Sequence, residues 1–176
     1  METSFLEIMQ TYFRGEKIEA LFFILPVGFA LVVFGAVALR AENGGFAWAV
    51  AIPSILFGLI FAGTGIGVST RTNKQVAALE RNFAASPAAM VKEELPRMQK
   101  VNSNFRTTFY AFGVLVALGL ILQYVAGHWG RGLGSTLILV GALGLLIDGF
   151  AERRAVPYTE ALQEVAKQTD QSSIGK

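Results

Sequence analysis

The chain has 176 residues, 53% of them hydrophobic and 16% charged, with a formal net charge of +2. A soluble domain carries about a quarter of its residues as charges, so this composition excludes an ordinary water-soluble globular protein. With no cysteine and one histidine, disulfides, thiol relays, Cys-ligated metals, bis-histidine haem and His-rich metal clusters are excluded as well.

At the start of the chain, Ser4 and Glu7 fit a capping box, in which hydroxyl and carboxylate satisfy the first free N–H groups of a helix. Phe5, Ile8, Met9, Tyr12 and Phe13 follow at helical spacing. A short amphipathic helix within residues 1–17 is expected, lying along the inner surface of a membrane or packed on the protein's own loop.

Four apolar blocks come next, Ile18 to Leu39, Phe46 to Ser69, Thr107 to Gly127 and Leu133 to Phe150. At 1.5 Å per residue, a block of this kind reaches about 30 Å, the thickness of the hydrocarbon core of a bilayer. The expected fold class is therefore an all-α integral membrane protein with four transmembrane helices. Pro26 and Pro53 interrupt the first two spans and are expected to kink them without breaking them. The first block is longer than the apolar core of a signal peptide, and the segment before it is rich in Glu, so it is read as a retained helix.

Residues 70–106, between the second and third spans, are too many for a structureless connection. Val76, Leu79 and Phe83 form one stripe; Ser86 and Pro87 read as N-cap and first helical position; Val91, Leu95, Met98 and Phe105 form a second stripe. This predicts a helical hairpin whose second arm runs into the third span and bends near Pro96. After the fourth span, Tyr158, Leu162 and Val165 share one face of a final helix. From Thr169 onward the composition is small and polar, and a disordered tail is expected.

Of the 15 Lys and Arg residues, all but Arg40 and Arg131 lie on one side of the four blocks. Cytoplasmic flanks hold such an excess, so both termini and the 70–106 hairpin are expected in the cytoplasm. Only two short connections, Arg40 to Gly45 and His128 to Gly132, then face the other side. The basic loop favours anionic lipid, and the topology rule alone accounts for its charge without nucleic acid.

Few residues offer chemistry. Beyond Glu19, one residue into the first block, the only acidic residue in the four blocks is Asp148. An intramembrane carboxylate is a candidate for ion coupling, but this one lies near the end of its block, close to Arg153 and Arg154, where water reaches it. Gln123, Thr64 and Thr136 are candidates for hydrogen bonds between helices. Small residues at four-residue spacing, Gly58 with Ala62, Gly63 with Gly67, and Gly113 with Ala117, together with Gly141 and Gly144, are the helix-packing candidates and predict a compact bundle. Trp48, Tyr110, Tyr124, His128 and Trp129 fit interfacial anchors. No nucleophile-base pair, paired carboxylates or metal-ligand spacing is present, so no catalytic, cofactor-binding or metal residue is assigned.

The stretches Tyr12-Phe13-Arg14-Gly15-Glu16-Lys17, Thr70-Arg71-Thr72-Asn73-Lys74-Gln75-Val76 and Ile147-Asp148-Gly149-Phe150-Ala151-Glu152-Arg153-Arg154-Ala155 resemble those of small, mostly uncharacterised four-span bacterial inner-membrane proteins. Similarity of size and architecture implies a toxin-immunity role. The expected function is that of a non-catalytic inner-membrane interaction protein, an immunity factor against a membrane-inserting toxin, meeting membrane lipid and either a protein partner or further copies of itself. The alternative is a small oligomeric channel or ion-coupled transporter.

Overall fold

A computed structural model of the chain describes residues 2–125 and 127–174, and the side chains of all of these but 2, 3, 170 and 172–174. Every regular element among the described residues is helical. α1 (Glu2–Glu19) passes through a π-helical turn (Ala20–Ile24) into α2 (Leu25–Ala41), and α3 (Gly45–Ala85), α4 (Pro87–Val125) and α5 (Gly127–Ile174) follow. Four helical stretches, Ser4–Ala41, Gly45–Ala85, Pro87–Val125 and Gly127–Thr169, are long and apolar enough to cross a membrane. Each is about 60 Å long at 1.5 Å per residue, roughly twice a hydrocarbon core. Each therefore has an apolar half and a polar half, and the polar halves gather at one end.

The turns follow from local chemistry. Ser86 leaves the helical region with φ −162°, and its hydroxyl accepts from the Ala89 N–H at 3.3 Å, so Ser86 and Pro87 cap and open α4 as their order predicts. Gly127 opens α5 with φ +32°, a conformation that L side chains rarely adopt. His128 to Gly132 is consequently the first turn of α5 rather than a connection. The helices run through Pro53, Pro96 and Pro157 without interruption.

Two features of the N- and C-terminal segments differ from the sequence expectation. Helix α1 already includes Ser4, so Ser4 and Glu7 form no capping box. Of the two placements expected for α1, the structure has the packing on the protein's own loop: α1 continues into α2, and Phe5, Met9, Tyr12 and Phe13 are buried against Leu79 and Phe83 of α3, Met90, Val91 and Met98 of α4, and Tyr158 and Leu162 of α5. The apolar face of α1 is thus consumed by the protein's own hairpin. At the other end, α5 runs on to Ile174, past the expected end at Thr169; Gly175 and Lys176 lie outside the described residues.

The two halves are packed by different means. In the polar half, Phe5 stacks on Phe83 at 4.8 Å between ring centroids and Tyr12 stacks on Tyr158 at 4.9 Å, while Phe13 meets Tyr158 edge-on at 5.8 Å. In the apolar half the cluster is smaller, with Ile24, Leu31, Phe61 and Val140 at its centre. There the strongest packing pairs α2 with α3 and α4 with α5, and the contact of α3 with α5 joins the two hairpins. Within this bundle α4 lies at the margin. Only 6% of the most apolar window of α4 is buried.

Candidate functional site

Where polar and apolar halves meet, α1, α3 and α5 bring charged side chains together. Arg154 of α5 crosses over α1 and donates to the Glu19 carboxylate. Gly15 makes this crossing possible, because a Cβ there would collide with the Arg154 side chain at Cδ. One helical turn earlier, Glu16 accepts from Arg71 of α3 at 3.3 Å, and Lys17 donates to Asn73 Oδ1 at 3.0 Å. These pairs tie the first helix to both of its neighbours at one level.

Asp148 stands at this waist without the partner expected for it. Arg154 is taken by Glu19, whose side chain is 9% exposed, and one buried oxygen of Asp148, Oδ2, has no hydrogen-bond partner. Glu16 Oε2 and Glu19 Oε1 are also buried and unpartnered. Glu16 and Glu19 each hold an arginine on their other oxygen, so the unpartnered oxygen of Asp148 is the costlier burial. Among the described residues no group of three or more His, Asp or Glu is placed to hold a metal ion.

Below the waist lies a second buried polar group that the sequence reading did not single out. Glu94, 5% exposed, accepts from Arg97 at 2.5 and 2.7 Å and from the Tyr158 hydroxyl at 3.0 Å. These hydrogen bonds raise the Arg97 guanidinium above its usual range. Burial, with the neighbouring Glu94, pushes the Tyr158 phenol well up. Tyr12, buried beside it, is pushed up to about 12 by burial and then by Glu16. The network closes the core of the polar half and leaves its groups hydrogen-bonded to one another.

The glycines separate into those that make contacts and those that do not. A Cβ on Gly28 would stand 2.7 Å from the Gly58 carbonyl oxygen, and one on Gly58 as close to that of Gly28, so α2 and α3 touch through backbone. Ala62 lies at the same seam, its backbone nitrogen pressed on Gly28. On the other hairpin Gly119 and Gly134 meet in the same way, and Gly141 and Gly144 receive Phe112 and Val116 of α4. Gly58, Ala62, Gly141 and Gly144 thus lie where packing was expected. Gly63, Gly67 and Gly113 have no side chain or neighbouring backbone near the place of a Cβ, and Ala117 is exposed. The glycine between the first two, Gly65, is the one that packs: a Cβ there would stand within 3.0 Å of Ala20 in the π turn and of Leu25 just after it.

Polar residues of the apolar half are largely self-contained. Thr64 and Thr136 donate to carbonyls of their own helices, Ile60 and Gly132. Gln123 does bridge, donating to Ser135 Oγ at 2.8 Å across the α4–α5 seam. At the end away from the polar half, Trp48 and Trp129 are exposed as interfacial anchors would be, and the Trp129 ring reaches the start of α3 at Gly45.

These features define an all-helical protein with four helices apolar enough to cross a membrane and a separately packed polar end. Comparison with known proteins finds no matching family model, no matching curated protein and no matching solved structure.

Proposed function

We propose that the chain is a multi-pass protein of the bacterial inner membrane, with its polar half and both termini in the cytoplasm, acting as a non-catalytic interaction protein of the immunity kind against a membrane-inserting toxin. The distribution of Lys and Arg supports the orientation, since Arg40 and Arg131 alone lie at the end away from the polar half. One observation carries the functional reading. The polar end spends its large apolar side chains on its own core, while α4 leaves Phe109, Tyr110, Val114, Leu118, Ile121 and Tyr124 exposed along the apolar half. The broadest unspent surface is therefore lateral, where an inserted partner is met, and only short turns face the far side.

Affinity purification from native membranes in mild detergent, with intact-complex mass, tests the reading. It expects a stoichiometric membrane-inserted partner whose retention is lost on joint Leu118→Ala and Ile121→Ala substitution, and whose toxicity the chain suppresses. A pure homo-oligomer that carries ions in liposomes would favour a channel or ion-coupled transporter, and loss of that flux in Asp148→Asn would place Asp148 on the path. A reporter after Ala84 that answers from the far side of the membrane would overturn the orientation.

A further inference from the structure

A groove of about 440 Å³ runs between α1 and α3 just below the waist, with Lys17, Thr72 and Asn73 at one end, Gln10 and Glu80 at the other, and Arg14 between them on α1. Its cations differ from the rest of the waist. Arg71, Arg97 and Arg154 are each engaged by a carboxylate. Lys17 contacts only the neutral Asn73, which takes one of the three ammonium protons, and Arg14 has no hydrogen bond or ion pair with any described residue. The one acidic group in the groove, Glu80, is at the opposite end and accepts from Gln10 at 2.8 Å. The groove thus runs from positive at the waist to negative away from it.

Its surroundings continue the pattern. One turn beyond Lys17 is Leu21, and two turns beyond Asn73 is Ile66, both exposed, with exposed Ile18 beside them. A positive pocket directly below an exposed apolar strip matches an amphiphile with an anionic head. We propose that this groove is a binding site for the phosphate headgroup of an anionic glycerophospholipid, with Arg14 and Lys17 as its ligands and the acyl chains along Leu21 and Ile66. The inference rests on the membrane reading above and is independent of the immunity role.

The test is native mass spectrometry of the full chain released from nanodiscs of equal phosphatidylglycerol and phosphatidylcholine. The expected result is selective retention of phosphatidylglycerol, reduced about fivefold by Arg14→Ala and by Lys17→Ala separately. Exposed Lys100→Ala should leave it unchanged, and far-ultraviolet circular dichroism checks that each variant keeps its helix. Equal retention of the two lipids, or undiminished selectivity in the double variant, would overturn the proposal. Protection from thermal unfolding in detergent by inorganic phosphate as strong as that by phosphatidylglycerol would assign the groove to free phosphate and overturn the lipid. Alkaline extraction of cell membranes separates the two levels: a chain released into the supernatant would overturn the membrane reading itself, whereas a retained chain without lipid selectivity would overturn only the groove.

Discussion

The two halves of this molecule use the same helices and solve opposite packing problems. In the polar half, water drives aromatic and sulfur-containing side chains of four helices into one core, where Met9, Met98, Tyr158 and Leu162 are fully buried. In the apolar half, helices approach through Gly28, Gly58, Gly119 and Gly134, which let backbone meet backbone, the means of packing available to helices that hydrocarbon would deprive of that drive. Large apolar side chains are inside at one end and outside at the other. Whether a Phe of this chain is buried thus depends largely on the half in which it lies, with Phe61 as the buried one at the centre of the apolar half.

Substitutions that act on one half only should separate the two mechanisms. The largest effect is expected from Tyr158→Ala, which empties the ring contacts with Tyr12 and Phe13 and removes a partner of Glu94. It should destabilise the polar half by about 4 kcal/mol, read as early loss of the near-ultraviolet dichroism on heating. Gly58→Leu should cost about 3 kcal/mol or more in the apolar half, because its side chain has backbone on the far side and nowhere to go. Gly67→Leu, on an open face, should cost almost nothing. If both leucines behave alike in thermal melts, the assignment of seam and open face is wrong.

At the junction, Arg154→Leu strands Glu19 and should cost about 2 kcal/mol, less than a fully buried pair because the Arg154 side chain is 26% exposed. The polar half should also loosen in alkali. A phenol whose pKa is raised on folding contributes stability that is complete below its unfolded value and lost as pH rises through the folded one. For Tyr12 that window runs from 10 to about 12. Tyr12→Phe should shrink the loss of near-ultraviolet signal over that range, leaving the part due to Tyr158. Among the residues that make a contact, the smallest effect is expected from Gln123→Ala, about 0.6 kcal/mol for one bond across the α4–α5 seam.

Much of the fold was legible because block length and periodicity depend on single helices. The first, second and fourth apolar blocks fall within long helices and the third overruns α4 to Gly127, which opens α5; Ser86 and Pro87 open α4, and both hairpin stripes close on the core they were drawn to face. What periodicity leaves undetermined is which of two equivalent faces meets a neighbour. Gly63 with Gly67 and Gly58 with Ala62 are the same pattern on one helix, and only the position of α2 distinguishes them. The bond from Arg154 to Glu19 spans two distant segments and needs the gap at Gly15, so no local rule pairs them in preference to Arg154 with Asp148. The Glu94, Arg97 and Tyr158 group was missed for the same reason, although a Glu and an Arg at three-residue spacing next to Met98 was the available signal. The continuity of α1 and α2 was obscured by Glu16, Lys17 and Glu19, which read as a boundary and are in fact bonded to Arg71 and Asn73 of α3 and Arg154 of α5.

The π turn at Ala20–Ile24, where Leu25 N–H reaches back five residues to Ala20, has an angular consequence. One extra residue in a turn of helix offsets the azimuth of everything beyond it by about 100°. The aromatic face of α1 and the glycine face of α2 are therefore not on one continuous line of the cylinder; the widened turn sets their relative phase, and Gly65 packs against it from α3. Deleting a single residue there would leave both halves chemically intact, yet rotate one against the other so that only one could remain docked.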